Sequence, residues 1–315
     1  MGPVTRHNLR GVTAEFPLGV FTAVTGVSGS GKSTLIAEIT EDLPGVGRLV
    51  RVDQRPIGRT PRSNLATYTG LFDVVRKAFA DTGEARARGY GVGRFSFNVA
   101  GGAPSGGGRC ETCQGEGFVS VELLFLPSTY APCPDCGGAR YNPRTLEVTY
   151  RGRNIAQVLD LTVESAAEFF ADTPAVSRCL AALLDVGLGY LRLGQPATEL
   201  SGGEAQRIKL ASELQRARRG HTLYLLDEPT TGLHPADVEV LLDRLHGLVD
   251  AGHTVVVVEH DMAVVAGADW VLDLGPGGGD AGGRIVATGT PSEVATAGDG
   301  ATAPYLARAL RAAAP

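Results

Sequence analysis

Four of the five cysteines form two closely spaced pairs. Cys110 and Cys113 make the first pair, Cys133 and Cys136 the second, and two residues separate the thiols within each pair. Two thiolates at this spacing can bind one metal ion from a single turn, and four of them are a usual ligand set for tetrahedral Zn²⁺. The pattern therefore predicts a zinc module at about 109–141.

Residues 26–33 match the phosphate-loop pattern G-x-x-x-x-G-K-[ST]. Its glycines let backbone N–H groups turn toward phosphates. We expect Lys32 to reach the β- and γ-phosphates of ATP and the Ser33 hydroxyl to ligate Mg²⁺. An apolar run at 20–25 predicts a strand before the loop, and a predicted helix after it points its positive end at the anion. The predicted ATP-binding residues here are Gly26, Ser28, Gly29, Ser30, Gly31, Lys32, Ser33 and Thr34.

Two further motifs place acid–base groups at the ends of apolar runs. Asp227 and Glu228 follow Leu225-Leu226, a Walker B pattern. We expect Asp227 to hold Mg²⁺, directly or through water, and Glu228 to orient and deprotonate the attacking water. His260 follows the run 255–258 and is expected to contact the γ-phosphate. A strand-end ion pair and a structural histidine are the alternative interpretations.

Residues 200–206 read Leu-Ser-Gly-Gly-Glu-Ala-Gln, the signature of the ATP-binding cassette class. Ser201 and Glu204 also form a helix capping box, and the Ser-Gly-Gly start leaves the helix N-terminus open to a phosphate. In this class the signature closes over ATP bound to the opposite cassette. One chain carries one phosphate loop and one signature, so we expect the chain to dimerise with a second copy of itself or with another cassette. Ser201, Gly202 and Gly203 are the residues expected to contact the ATP of the opposite cassette.

Short apolar runs at 20–25, 223–226 and 254–258, alternating with helical patterns, indicate parallel strands covered on both faces. The predicted fold class is therefore α/β, an ABC-type P-loop ATPase core with a large inserted signature and zinc-binding domain. The predicted core comprises 1–53 and 200–315, and the inserted domain comprises 54–199.

The insertion has its own local patterns. Residues 48–109 contain many glycines and prolines such as Pro56 and Pro61 and are predicted to be mostly loop. Residues 118–125 predict a strand that can form a hairpin between the cysteine pairs, and 155–185 look helical. Cys179, alone on that helical pattern, is predicted to be a small core residue.

Charge is unevenly distributed along the chain. The net charge is −5, which excludes a protein that binds nucleic acid through its overall charge. From Arg48 to Arg109, however, eleven basic residues face four acidic ones, a balance of +7, and such a surface can bind phosphates or simply be solvated. No secretory h-region and no apolar run of about 18 residues is visible, so we expect a soluble, cytoplasmic protein without a membrane partner.

On these motifs the chain closely resembles the UvrA family of the bacterial excinuclease ABC system, specifically its C-terminal half, over nearly all 315 residues. The combination of a cassette with this cysteine block is highly specific. The matching stretches are Val24–Leu35, Val52–Asn64, Gly93–Asn98, the cysteine block, Val186–Leu214 and Leu223–His234.

The resemblance implies an ATPase that binds double-stranded, lesion-bearing DNA as a dimer in nucleotide excision repair and loads a helicase-like partner. It also implies that Gln54 is the Q-loop residue, which links Mg²⁺ and the γ-phosphate to the inserted domain. The zinc hairpin of the family distinguishes damaged from intact duplex, for which duplex shape and deformability are the better signal. Arg109, Arg140 and Tyr141 flank the cysteines and are candidate DNA contacts. A zinc that only folds the insertion is the alternative.

The chain also departs from the family pattern. It has one cassette instead of two, and the region that docks the helicase-like partner is absent. The link 100–108 is longer than usual, which predicts a flexible tether. A natural half-protein, the second product of a split gene and a fragment are all compatible with this. The alternative functions are a drug-resistance or self-protection ATPase of the same family, the ATPase component of a transporter and an inactive half.

Overall fold

A computed structural model of the chain describes residues 1–102, 106–123, 126–215, 220–297 and 300–313. The chain forms two compact units. Unit 1 comprises Met1–Gln54 and Ala217–Pro315, and unit 2 comprises Arg55–Arg216. The domain boundaries expected from the sequence stay a prediction; the second unit boundary lies after the signature, so the signature belongs to unit 2.

The strands are β1 (Phe21–Gly26), β2 (Arg48–Val52), β3 (Phe118–Leu123), β4 (Leu126–Pro132), β5 (Thr149–Tyr150), β6 (Arg153–Asn154), β7 (Thr222–Asp227), β8 (Thr254–Val258), β9 (Trp270–Gly275) and β10 (Arg284–Gly289). The α-helices are α1 (Lys32–Ala37), α2 (Leu65–Tyr68), α3 (Leu71–Ala80), α4 (Gly83–Ala87), α5 (Pro143–Leu146), α6 (Ile155–Leu159), α7 (Val163–Phe169), α8 (Pro174–Leu184), α9 (Gly202–Leu214), α10 (Pro235–Asp250), α11 (Met262–Ala266), α12 (Pro291–Thr296) and α13 (Ala303–Ala313). None of the helices in the described ranges is long and apolar enough to cross a membrane.

Unit 1 is built on a six-stranded sheet in the order β10-β9-β1-β8-β7-β2. Neighbouring strands are parallel except β10, which runs antiparallel to β9. Every residue of β1 and β8 is buried, as expected for strands covered on both faces. The prediction of an α/β core with parallel strands is therefore confirmed. Because β1, β7 and β8 are parallel, the residues that follow them meet at one edge of the sheet.

Unit 2 contains a helix where the sequence predicted mostly loop. Helix α3 runs from Leu71 to Ala80, and its buried residues Leu71, Phe72, Val75 and Phe79 recur at helical spacing. The loop prediction for 48–109 is wrong at this segment. The glycines and prolines dominate the composition of the whole region, but none lies between Gly70 and Asp81.

The helical pattern at 155–185 forms three short helices, α6, α7 and α8. The side chains of Asn154 and Thr162 cap α6 and α7, and Pro174 begins α8. Cys179 on α8 is buried, 3% exposed, as predicted. Strands β3 and β4 form an antiparallel hairpin with Phe118 opposite Pro132. The predicted strand 118–125 and the predicted tether 100–108 extend in part beyond the described residues.

Candidate functional site

The phosphate-loop motif connects β1 to α1 at the edge where parallel strands end. Gly26 has a φ of 132°, and a Cβ there would lie 2.0 Å from the backbone oxygen of Leu274 on the adjacent strand. Any side chain would collide with that strand, so glycine is required. Gly31, with a φ of 108°, precedes the first residue of α1. The chain can therefore turn sharply from the strand into the helix.

Lys32 lies inside this loop and is 6% exposed. Its Nζ donates to the carbonyl oxygens of Gly26 and Val27, both at 2.9 Å. Burial lowers the pKa of Lys32, while Glu228 and Asp227 act in the opposite direction. The ammonium group is thus held by backbone oxygens close to the two Walker B carboxylates.

A cavity of about 250 Å³ opens beside Lys32. Asn8 lines it and donates from Nδ2 to Gly29 O at 2.9 Å and to Gly279 O at 3.3 Å. No local pattern singles out Asn8, because its partners are backbone atoms distant along the chain. The lining residues are Asn8, Ser28, Gly29, Gly31, Lys32, Ser33, Thr34, Glu228 and His260.

Glu228 and His260 face each other at this cavity, with His260 Nε2 3.2 Å from Glu228 Oε1. Gln54 Nε2 donates to the carbonyl oxygens of Asp227 and Glu228 at 3.4 and 3.5 Å. Burial, and next the charge of Glu228, raise the pKa of Asp227. Unit 1 therefore brings together the sequence-predicted groups from four distant segments: the phosphate loop, Gln54, the Walker B pair and His260.

The signature residues lie in unit 2, at the start of α9. Ser201 Oγ accepts from the Glu204 N–H at 3.2 Å, and Glu204 Oε2 accepts from the Ser201 N–H at 2.7 Å. The predicted capping box is therefore present. The Tyr190 hydroxyl donates to the other Glu204 oxygen at 2.7 Å. Although burial acts to raise the pKa of Glu204, the Ser201 N–H and the Tyr190 hydroxyl lower it overall.

The four paired cysteines converge in unit 2, with all Sγ atoms within 4.8 Å of one another. Cys110 Sγ lies 3.9 Å from Cys133 Sγ, and Cys113 Sγ lies 3.6 Å from Cys136 Sγ. Four sulfurs about 2.3 Å from a central ion would be about 3.8 Å apart, so this arrangement fits a tetrahedral metal site. Burial raises the pKa of Cys136 to about 12. The cluster can hold a metal ion if the thiols are deprotonated on binding.

Two residues named as candidate DNA contacts are instead buried and hydrogen-bonded inside unit 2. Arg140 is 5% exposed and donates to the carbonyl oxygens of Pro61 and Gly194 at 2.8 and 3.0 Å. Tyr141 is 1% exposed, and its hydroxyl donates to Phe95 O at 2.8 Å. The prediction that these two side chains touch DNA is wrong, because both are buried and already hydrogen-bonded.

The fold and the site of unit 1 define an ABC-type ATPase cassette, with a phosphate loop and Walker B carboxylates on a mostly parallel sheet. No protein-family model matches the chain. The chain nevertheless matches individual proteins at high sequence identity. The chain is 56% identical to UvrABC system protein A of Micrococcus luteus and 58% identical to that of Thermus thermophilus. Each match covers 96% of this chain, and 32% and 33% of the respective relative.

The crystal structure of UvrA2 from Deinococcus radiodurans is 65% identical with a TM-score of 0.93. That match covers 98% of this chain and 39% of the other. The resemblance to UvrA inferred from the motifs is thus confirmed: the chain is homologous to one part of UvrABC system protein A. It spans about a third of the length of these two curated relatives.

Proposed function

We propose that the chain is an ABC-class ATPase that binds DNA and recognises damage in nucleotide excision repair. The observation that carries this proposal is the convergence of Lys32, Glu228 and His260 on the cavity of unit 1, with Gln54 hydrogen-bonded to the backbone of Asp227 and Glu228. The homology to UvrABC system protein A supports the repair role. The alternative of a drug-removing ATPase has no separate support among these relatives.

The proposed reaction is attack of water on the γ-phosphorus of ATP. The bond to the β,γ-bridging oxygen breaks, and a proton of the water passes to the Glu228 carboxylate. The backbone N–H groups of 26–33 and the Lys32 ammonium bind the phosphates. Ser33 and Asp227 would hold Mg²⁺, which neutralises phosphate charge when bound. His260 lies 3.2 Å from Glu228, where it can contact the γ-phosphate and orient the water.

The signature supports a composite site formed by two cassettes. Ser201 Oγ accepts from the Glu204 N–H, which leaves its own proton free to donate to a phosphate. The N-terminus of the 13-residue helix α9 adds a favourable dipole for an anion. We therefore propose that Ser201, Gly202 and Gly203 contact ATP bound to a second copy of this chain or to another cassette.

We propose that the metal of the cysteine cluster is Zn²⁺, because four thiolates and a tetrahedral arrangement are typical of structural zinc. The Cys133 N–H donates to Gly117 O at 2.9 Å, and Val119 of β3 packs against the cluster. The cluster therefore anchors the base of the β3–β4 hairpin. Tyr130 on this hairpin is 52% exposed, and an exposed aromatic ring can stack on a disturbed base.

DNA binding by unit 2 also draws on its basic residues, although ion pairs neutralise part of the predicted +7 region. Arg76 pairs with Asp73, and Arg88 pairs with both Glu84 and Glu147. Arg55, Arg59 and Lys77 are exposed. We propose that such groups contact the phosphate backbone, while damage is sensed through duplex deformability. Loading of a helicase-like partner and a cytoplasmic location belong to this proposal as well.

The test compares wild type with Glu228→Gln, which keeps the side-chain shape but cannot accept the proton. Wild type should release phosphate from ATP, whereas the variant should bind ATP, lose turnover and form a stable dimer in light scattering. A Glu228→Gln chain that stays monomeric at micromolar concentration with saturating ATP would refute a composite site formed by two copies of this chain. A variant that hydrolyses ATP as fast as wild type would refute the assigned role of Glu228.

A further inference from the structure

Glu259 is a buried carboxylate next to the proposed catalytic pair. It is 2% exposed. Its Oε1 accepts from the backbone N–H of Thr230 at 3.0 Å and from the Thr230 hydroxyl at 2.7 Å. Its Oε2 accepts from the N–H groups of His260 at 3.0 Å and Asp261 at 3.4 Å. Both oxygens are therefore fully engaged, each with a different segment of the chain.

These two segments carry the two groups of the proposed catalytic pair. Thr230 lies in the turn that follows Glu228, and His260 lies in the segment that follows β8. Glu228 itself has a φ of 48°, a left-handed conformation that is unfavourable for a residue with a side chain. Such a conformation persists only where neighbouring contacts hold it. The Glu228 N–H donates to Val258 O at 2.9 Å, so the two segments are already adjacent at this point.

The four donors to Glu259 explain how a side chain this deeply buried can be polar. Buried polar atoms are costly unless they are hydrogen-bonded. The N–H and hydroxyl of Thr230 satisfy one oxygen, and the N–H groups of His260 and Asp261 satisfy the other. Because moving either segment away would leave a buried oxygen without a donor, the carboxylate holds the two segments in place relative to each other.

We propose that Glu259 is a positioning residue for ATP hydrolysis: its carboxylate joins the Glu228 turn to the His260 segment and so sets the alignment of the two side chains. This rests on the proposed function, in which Glu228 and His260 act on ATP. Glu259 itself lies behind them and touches no reacting atom.

The test is Glu259→Gln, because an amide NH₂ cannot accept a hydrogen bond. The variant must then lose the hydrogen bonds to one of the two segments, either at Thr230 or at His260. We expect kcat to fall by about 10- to 100-fold, the cost of misplacing a catalytic group by about 1 Å. The KM for ATP should stay within about threefold of wild type, because the phosphate loop and Lys32 are unchanged. A side chain with only a structural role would not produce this split.

Glu293→Gln is the matched control. Glu293 also accepts from a threonine N–H and hydroxyl, those of Thr290 at 2.7 and 2.9 Å, but it caps α12. This variant should keep wild-type kcat and KM. A Glu259→Gln variant with the kcat of wild type would overturn the proposal. So would a variant in which kcat falls and KM rises by similar factors and folded structure is lost.

Amide hydrogen exchange gives a readout that needs no turnover. In Glu259→Gln, either the amide of Thr230 or the amides of His260 and Asp261 should exchange at least about tenfold faster, whereas Glu293→Gln should leave all three unchanged. Unchanged exchange at all three amides would overturn the proposal that Glu259 holds the two segments together. Absence of ATP hydrolysis by wild type, with the exchange effect intact, would instead count against the proposed ATPase function, so the two failures are distinguishable.

Discussion

Replacing Cys133 by serine should weaken metal binding by the cysteine cluster. Cys133 is 1% exposed, its Sγ lies 3.9 Å from that of Cys110, and its N–H anchors the β3–β4 hairpin to Gly117. A serine hydroxyl is a poor ligand at neutral pH compared with a thiolate. The variant therefore removes one of four ligands while it leaves the backbone hydrogen bond in place.

The magnitude follows from the ligand count. Structural Zn²⁺ held by such sites contributes about 10–16 kcal/mol of apparent binding free energy. If four ligands share this equally, one ligand accounts for about 2.5–4 kcal/mol, which corresponds to an affinity weaker by a factor of about 10² to 10³. We expect wild type to purify with one zinc per chain and Cys133→Ser to lose its zinc to a competing chelator at a much lower chelator concentration.

The assay is zinc content by mass spectrometry, together with chelator competition followed by a chromophore. Cys179→Ser is the control, because Cys179 is a buried cysteine of the same unit that lies outside the cluster. The control should retain zinc fully, and both variants should bind ATP, since the phosphate loop belongs to unit 1. Equal zinc affinity in Cys133→Ser and wild type would show that the four thiols do not act together as a metal site.

Three further predictions concern single side chains. Lys32→Ala should weaken ATP binding by at least about 30-fold, because the phosphates lose a charged partner; calorimetry that shows unchanged affinity would contradict this. Tyr190→Phe should cost less than about 1 kcal/mol in urea unfolding, because the hydrogen bond to Glu204 is largely exposed; a larger loss would show that the cap supports more of unit 2. Burial raises the pKa of Asp273, so its protonated form is favoured in the folded state and wild type loses stability as the pH rises from about 4 through the raised pKa. Asp273→Asn should remove this loss, so the unfolding free energy of the variant minus that of wild type should increase over that pH range and then level off. Unfolding can be followed by the fluorescence of Trp270 on the same strand; a difference that does not depend on pH would contradict the raised pKa of Asp273.

The elements whose signal is local could be predicted from the sequence. An apolar run such as the four valines at 255–258 indicates a buried parallel strand. The spacing of Ser201 and Glu204 predicts a helix cap, and the cysteine spacing predicts a metal site. In each case the signal lies in the types and spacing of residues within one segment of the chain.

The features that sequence patterns miss depend on contacts between distant segments. The charge of Arg140 indicates exposure, yet its guanidinium is buried against the carbonyls of Pro61 and Gly194. Asn8 contacts Gly279 from the other end of the chain. Glu259 follows an apolar strand, as many surface carboxylates do, and only the position of Thr230 shows that it joins two segments. Residue type and spacing carry no information about such partners.

Damage sensing by this chain is tested most directly by steady-state ATP hydrolysis with no DNA, with intact duplex and with lesion-bearing duplex. Glu228→Gln under the same conditions provides the background. We predict hydrolysis that depends on Glu228 and that changes by a different factor with the lesion-bearing duplex than with the intact one. Hydrolysis that is indifferent to both duplexes would contradict the claim that this chain itself senses damage.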